Sequence, residues 1–219
     1  MSRRKVTVEL EPMLGAFAVV SVAGSPEELI LDAAADLMRT YGLKRWSMED
    51  VAERAAIGRT SVYRAFSTRD ELVHAVLARE LRATIGQINA AAAASSSVED
   101  GIIEGALSGL AALRSSLVEQ LLRSDPATIL PFLTTKAGPL VALTRQLLAA
   151  QARAAGASIA EEHAEELAEI AARLGLSFVL TRESVFPVDD EEALRESLRR
   201  VLRPVLSPLF AVSDGRGTN

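Results

Sequence analysis

Residues 47–66 read SMEDVAERAAIGRTSVYRAF, and this stretch decides the fold. Ser47 with Asp50 three residues later is a capping-box-like helix start, with Asp where Glu or Gln is usual. Val51, Ala52 and Ala55 give the short helix that follows its inward face. That helix stops near Ala56-Ile57-Gly58, and another begins at once with Arg59-Thr60-Ser61-Val62-Tyr63-Arg64-Ala65-Phe66. Two short helices joined by a tight, glycine-containing turn make a helix-turn-helix. At about 100° per residue, Val62 and Phe66 fall on one side of the second helix. Thr60, Ser61 and Arg64 fall on the other, with Arg59 and Tyr63 on a flank. The first pair suits packing; the hydroxyls and guanidinium suit base edges in a major groove. From Arg54 to Arg69 there are four arginines and no acid, a local positive field that can meet phosphates.

Helical periodicity extends in both directions. Upstream, Ser25 caps a helix opened by Pro26 and Glu27-Glu28, with Ile30, Ala33, Ala34, Leu37 and Tyr41 as its buried stripe and Gly42 as its end. Downstream, Ser67-Thr68 caps a longer helix from Arg69, carrying Leu72, Val76, Leu77, Leu81 and Ile85, which fades in the Ala/Ser-rich stretch from Ala90 to Ser97. Further helices are predicted near 98–113, 115–124, 126–133, 137–155, 160–183 and 189–209. Asp125-Pro126, Gly138-Pro139, Gly156 and Pro187 mark the breaks. No internal repeat has a fixed period.

Composition agrees with an all-α fold. Half of the residues (49%) are apolar, mostly Ala and Leu, and few (4%) are aromatic. The absence of Cys excludes disulfides, thiolate metal sites and a cysteine nucleophile. Two His make a multi-His metal centre hard to build, so no cofactor and no metal site are expected. A net charge of −5 argues against a protein coated in nucleic acid, but leaves room for a small basic reading head. At the N-terminus, Arg3-Arg4-Lys5, the apolar run from Met13 to Gly24 and Ala23-Gly24-Ser25 have the outline of a secretory signal. Glu9 and Glu11 stand between those parts, and the run is too short to span a bilayer. We therefore expect a cytoplasmic protein with residues 1–24 as an arm; a short strand at Lys5–Leu10 would lack a partner.

Residues 27–72 resemble the DNA-binding domain of the TetR family of transcriptional regulators. The matching run is Ile30-x-x-Ala33-Ala34-x-x-Leu37, Gly42, Ser47-Met48-x-Asp50-Val51-Ala52-x-x-Ala55-x-Ile57, then Ser61-Val62-Tyr63-x-x-Phe66-x-x-Arg69-Asp70-x-Leu72. Its specific part is the tail Tyr-x-x-Phe-x-x-basic-acidic-x-Leu. The resemblance implies a helix-turn-helix head over 25–72, a larger helical effector-binding and dimerisation domain over 73–219, and ligand-controlled repression at an inverted-repeat operator. By position it implies that Ser47 meets a phosphate, that Arg59, Thr60, Ser61 and Arg64 read or flank bases, that Tyr63 bonds a phosphate, and that Arg69 grips the backbone. Plainer roles stand beside these: Ser47 as a helix cap, Tyr63 packed on the first helix, Arg59 and Arg64 as solvated charges. Gly58 stands where family members often have Ser, and Ala65 where they often have His or Tyr. Trp46, the single tryptophan, reads as a packing anchor.

The second half is less informative. Any cavity there would be walled mainly by Leu, Ile, Val and Ala, which favours a small lipophilic effector. Its candidate contacts are Phe132, Arg145, Gln146, Phe178 and Thr181; for the polar ones a surface role competes. His163 lies in an acidic run that reads as solvated. Leu167, Ile170, Ala171, Leu174, Leu176, Phe178 and Val179 in one helix, with Leu194, Leu198, Val201, Leu202, Val205 and Leu206 in the next, are candidates for a four-helix homodimer interface. The alternative is that they close their own subunit's core. No membrane role is expected. Two other readings, a helical enzyme and an exported helical protein, carry a coincidental helix-turn-helix; the enzyme reading lacks any recognisable acid–base pair.

Overall fold

The computed structural model describes residues 24–154, 161–181 and 183–210. The N-terminal arm, with the strand considered at Lys5–Leu10, lies outside the described residues, apart from Gly24. Ten helices and no strand occur among the described residues: α1 Pro26–Tyr41, α2 Met48–Arg54, α3 Arg59–Ala65, α4 Arg69–Ala93, α5 Val98–Arg114, α6 Leu117–Ser124, α7 Pro126–Leu133, α8 Gly138–Ala154, α9 Glu161–Leu180 and α10 Glu191–Phe210. The starts follow local chemistry. The Ser25 hydroxyl accepts from the Glu28 N–H at 3.2 Å, and the Ser116 hydroxyl from that of Glu119 at the same distance. Gly42, at φ 69°, ends α1 and donates its N–H to the Met38 carbonyl at 2.9 Å, a left-handed turn that glycine takes without Cβ strain.

The chain packs as two compact units, Met1–Ala83 with Ser115–Leu140, and Thr84–Arg114 with Val141–Asn219. The first contains the helix-turn-helix. Its interior holds Ile30, Ala34, Met38, Leu43, Val51, Val62, Leu72, Val73 and Val76, all without measurable exposure. Ion pairs lock α4 on α1: Arg79 reaches Glu28 and Asp32, both at 2.8 Å, and Arg39 reaches Glu80 at 3.0 Å. The α6–α7 pair packs in this unit too. Lys44 pairs with Asp125 at 2.8 Å, and Gly42 sits so close that a Cβ would lie 3.5 Å from the Ser124 hydroxyl.

The second unit is centred on α5, where Ile103 and Leu107 pack with Leu194 and Leu198 of α10, flanked by Leu110, Phe186, Val188 and Leu202. Leu194, Leu198 and Leu202, candidates for a dimer face, thus close their own subunit's core. They sit on the α10 face turned to α5, whereas Val201 of the same helix is 48% exposed. Arg195 of α10 reinforces that contact, reaching Glu104 of α5 at 2.8 Å and Glu191 at 2.7 Å; these hydrogen bonds raise its pKa above the ordinary arginine value. Arg114 binds the Val188 carbonyl and Asp189. Glycines at 101, 105 and 109 form one buried stripe of α5, where Ile88 and Ala92 approach closely.

Two glycines separate helix propensity from close approach. A Cβ on exposed Gly86 meets nothing within 4 Å, so Gly86→Ala should raise stability by up to about 1 kcal/mol. A Cβ on Gly101 would lie 3.0 Å from the Ala92 carbonyl oxygen, which is backbone and cannot swing away. Gly101→Ala should therefore lower stability, by about 1–3 kcal/mol less any propensity gain. Thermal unfolding of the two variants checks the opposite signs.

Candidate nucleic-acid interface

The α2–turn–α3 segment is assembled from short-range bonds. Both halves of the capping box form: the Asp50 N–H donates to the Ser47 hydroxyl at 3.2 Å, and the Ser47 N–H to the Asp50 carboxylate at 2.7 Å. The Ser47 hydroxyl also donates to that carboxylate at 2.9 Å, so its plain role as a cap is filled. Between the helices, the residue in the left-handed region is Ala56, at φ 54°, and not the glycine of the turn. Gly58 stands at α3's N-cap with an ordinary φ of −59° and no side chain to cap the helix.

Val62 is fully buried and anchors α3, while Phe66 is half-buried just past its end. Arg59, Thr60, Tyr63 and Arg64 are exposed, and Ser61 is half-buried at the edge of the same surface. The helix thus presents five polar side chains around one apolar anchor. Tyr63 is 45% exposed and donates its hydroxyl to Glu49 of α2 at 3.2 Å. Desolvation, and then the neighbouring Glu49 carboxylate, raise its pKa, so at neutral pH it is a protonated donor.

The four arginines are not equivalent. Arg54 pairs with Asp36 of α1 at 3.3 Å. Arg59 and Arg64 have no ion pair among the described residues. Arg69 is turned inward: its guanidinium lies 4.1 Å from the Trp46 ring centre and donates to the Leu43 carbonyl. Burial lowers its pKa. Trp46, only 5% exposed, is a packing anchor whose indole N–H donates to the Gly42 carbonyl at 2.9 Å. One exposed cation escaped the sequence reading. Arg45, two residues before the Ser47 cap, has no ion pair among the described residues either. Its signal was the Lys44-Arg45 step immediately ahead of a helix start.

The effector candidates fall in both units. Phe132 belongs to the first unit, where Lys136 lies 5.6 Å over its ring; the other four belong to the second. There, Arg145 pairs with Glu169 at 3.2 Å, Gln146 and Thr181 are exposed, and Phe178 packs edge-on against Phe186 with centres 6.0 Å apart. His163 is exposed.

Residues 30–76 match the family model of bacterial regulatory proteins of the tetR family, and residues 97–204 match that of the C-terminal domain of the bacterial tetracyclin repressor. The chain belongs to the TetR family. Members of this family are DNA-binding transcriptional regulators. The fold is that of the TetR family repressor AlkX from Dietzia sp. strain DQ12-45-1b, with 23% identity over 83% of this chain and 98% of the other and a TM-score of 0.66. A putative TetR-family regulator from Mesorhizobium loti is similar with 16% identity over 84% and 98% of the two chains and a TM-score of 0.52. No curated protein sequence matches the chain. No single helix among the described residues is long and apolar enough to cross a membrane.

The local geometry sets two stability expectations. Ser47→Ala removes the cap and should cost about 1 kcal/mol. Ala56→Gly removes the roughly 1–2 kcal/mol that an L-residue loses in the left-handed region, set against about 0.5–1 kcal/mol of added chain entropy. Ala56 is exposed, so no packing is lost. Chemical denaturation should show the first variant less stable than the parent chain and the second slightly more.

Proposed function

We propose that the protein is a cytoplasmic, dimeric, one-component repressor that binds an inverted-repeat operator and is released by a small lipophilic effector. The observation that carries this reading is α3, a helix anchored by one buried valine with exposed Arg59, Thr60, Tyr63 and Arg64. Arg64, Thr60 and Ser61 serve base edges and Arg59 flanks them; Tyr63 and Ser47 serve phosphates, with Arg45 as a further backbone contact. Contact by Tyr63 means exchanging Glu49 for a phosphate oxygen. A second copy is expected against α9 and α10, where Ile170, Leu174 and Val201 are 56%, 51% and 48% exposed. The aliphatic composition of the second half supports a lipophilic effector. Effector binding would then shift the paired heads to a separation that no longer fits successive major grooves.

Selection of bound sequences from random double-stranded DNA tests the reading, and an inverted repeat is expected. On the selected site, Arg64→Ala should lose about 1–3 kcal/mol of affinity, and Arg59→Ala should lower the salt dependence by about one released ion. Unchanged binding by Arg64→Ala and Tyr63→Phe together would sink the assignment of α3. Glu49→Gln removes a carboxylate beside the phosphates and should tighten binding a few-fold at low salt. For the dimer, Leu174→Glu should yield monomers in sedimentation equilibrium; a monomeric parent chain would refute the interface.

A further inference from the structure

We infer that Arg69 is a positioning residue for operator binding: stacked on Trp46 and bonded to the Leu43 carbonyl, it fixes the loop that aims α2 and α3, and it does not grip a DNA phosphate. The inference rests on reading α3 as the recognition helix. A phosphate-gripping arginine needs its planar fork in solvent, with two parallel N–H groups available. Here one face of the guanidinium lies against an indole that is itself buried, one terminal N–H group is spent on a backbone carbonyl, and Nε is buried with no hydrogen-bond partner.

What it holds is the link between α1 and α2. Three successive residues of that loop are tied to different parts of the first unit. Gly42 accepts from the Trp46 indole at 2.9 Å, Leu43 accepts from Arg69 at the start of α4, and Lys44 pairs with Asp125 beyond α6 at 2.8 Å. Ser47 follows directly and starts α2, whose Glu49 takes the Tyr63 hydroxyl at 3.2 Å. The orientation of α2, and through Glu49 and Val62 that of α3, therefore depends on where Arg69 holds the loop. The position requires arginine and not merely a cation, because lysine has no planar face to lay on the indole and no fixed fork to aim at the carbonyl.

The test uses the full chain, its selected operator and Arg69→Lys, Arg69→Gln and Trp46→Leu variants. Trp46 is the only tryptophan, so its fluorescence reports the clamp without a label. Arg69→Lys keeps the charge yet should red-shift the Trp46 emission and weaken operator binding roughly tenfold, with the slope of log affinity against log salt unchanged. Trp46→Leu should weaken binding similarly, and combining it with Arg69→Lys should cost no more than either alone. Trp46→Phe keeps a ring under the guanidinium and should bind closer to the parent chain, which guards against variants that merely misfold. Three results would overturn the inference: parent-like binding by Arg69→Lys, a salt slope reduced by about one in Arg69→Gln, or a lowered Tm with affinity unchanged well below it. If the parent chain selects no DNA at all, the reading of α3 falls first, whatever the Trp46 spectrum shows.

Discussion

A seven-residue helix is too short to persist alone, since nucleation costs more than its few internal hydrogen bonds return. α3 is such a helix, and among its residues only Val62 is fully buried. Everything that makes the surface of the head chemically interesting hangs on that one anchor and on the capped helix beside it. Gly58 contributes no side-chain cap, so the stability of α3 is borrowed from packing against α1 and α2 and from the Glu49–Tyr63 bond. The arrangement leaves the opposite face free of structural duties, which is what a reading surface needs.

Charge is distributed with similar economy. The chain is acidic as a whole, and two of the four arginines between Arg54 and Arg69 are engaged within the head, one by Asp36 and one by Trp46 and Leu43. Arg59, Arg64 and Arg45 are exposed and have no ion pair among the described residues. With so few cations, non-specific attraction to phosphates is modest, and on the proposed reading affinity depends on how accurately α2 and α3 are aimed.

The helices were legible because their ends are written in local chemistry. Ser25, Ser47, Ser67-Thr68, Asp125-Pro126 and Gly42 mark starts and stops with short-range bonds, and the apolar spacing between them needs no tertiary knowledge. The exposed set on α3 was legible for the same reason, since 3.6-residue geometry sorts one buried valine from its polar neighbours. Other features were hidden. The left-handed conformation of Ala56 was one, since alanine carries no sequence signal for a positive φ. The Arg69–Trp46 stack joins residues 23 positions apart, and arginine near a helix start reads equally well as a DNA contact. The packing of α6 and α7 with the head's residues, and the use of Leu194 and Leu198 on α5, required long-range pairing that apolar periodicity cannot choose. Mixed apolar and polar spacing on separate helices carries no information about which faces meet, so apolar periodicity gave no ground for choosing an effector site.

The loop from Gly42 to Trp46 brings these levels together. Its carboxylate partner, Asp125, is only 8% exposed, and one of its oxygens has no hydrogen-bond partner, so the Lys44 pair offsets a real desolvation penalty. The Thr128 hydroxyl donates to the same carboxylate oxygen at 3.0 Å and ties it to α7. Lys44 itself is half exposed, so solvent screens its side of the pair, and the geometry is set mainly by the two bonds that converge on the Asp125 carboxylate. The loop is therefore tied at several points, and α2 begins where it ends. Directional bonds at Leu43, Lys44 and Trp46 are more selective than an apolar contact would be, and on the proposed reading of α3 the five residues that precede α2 set how it is aimed.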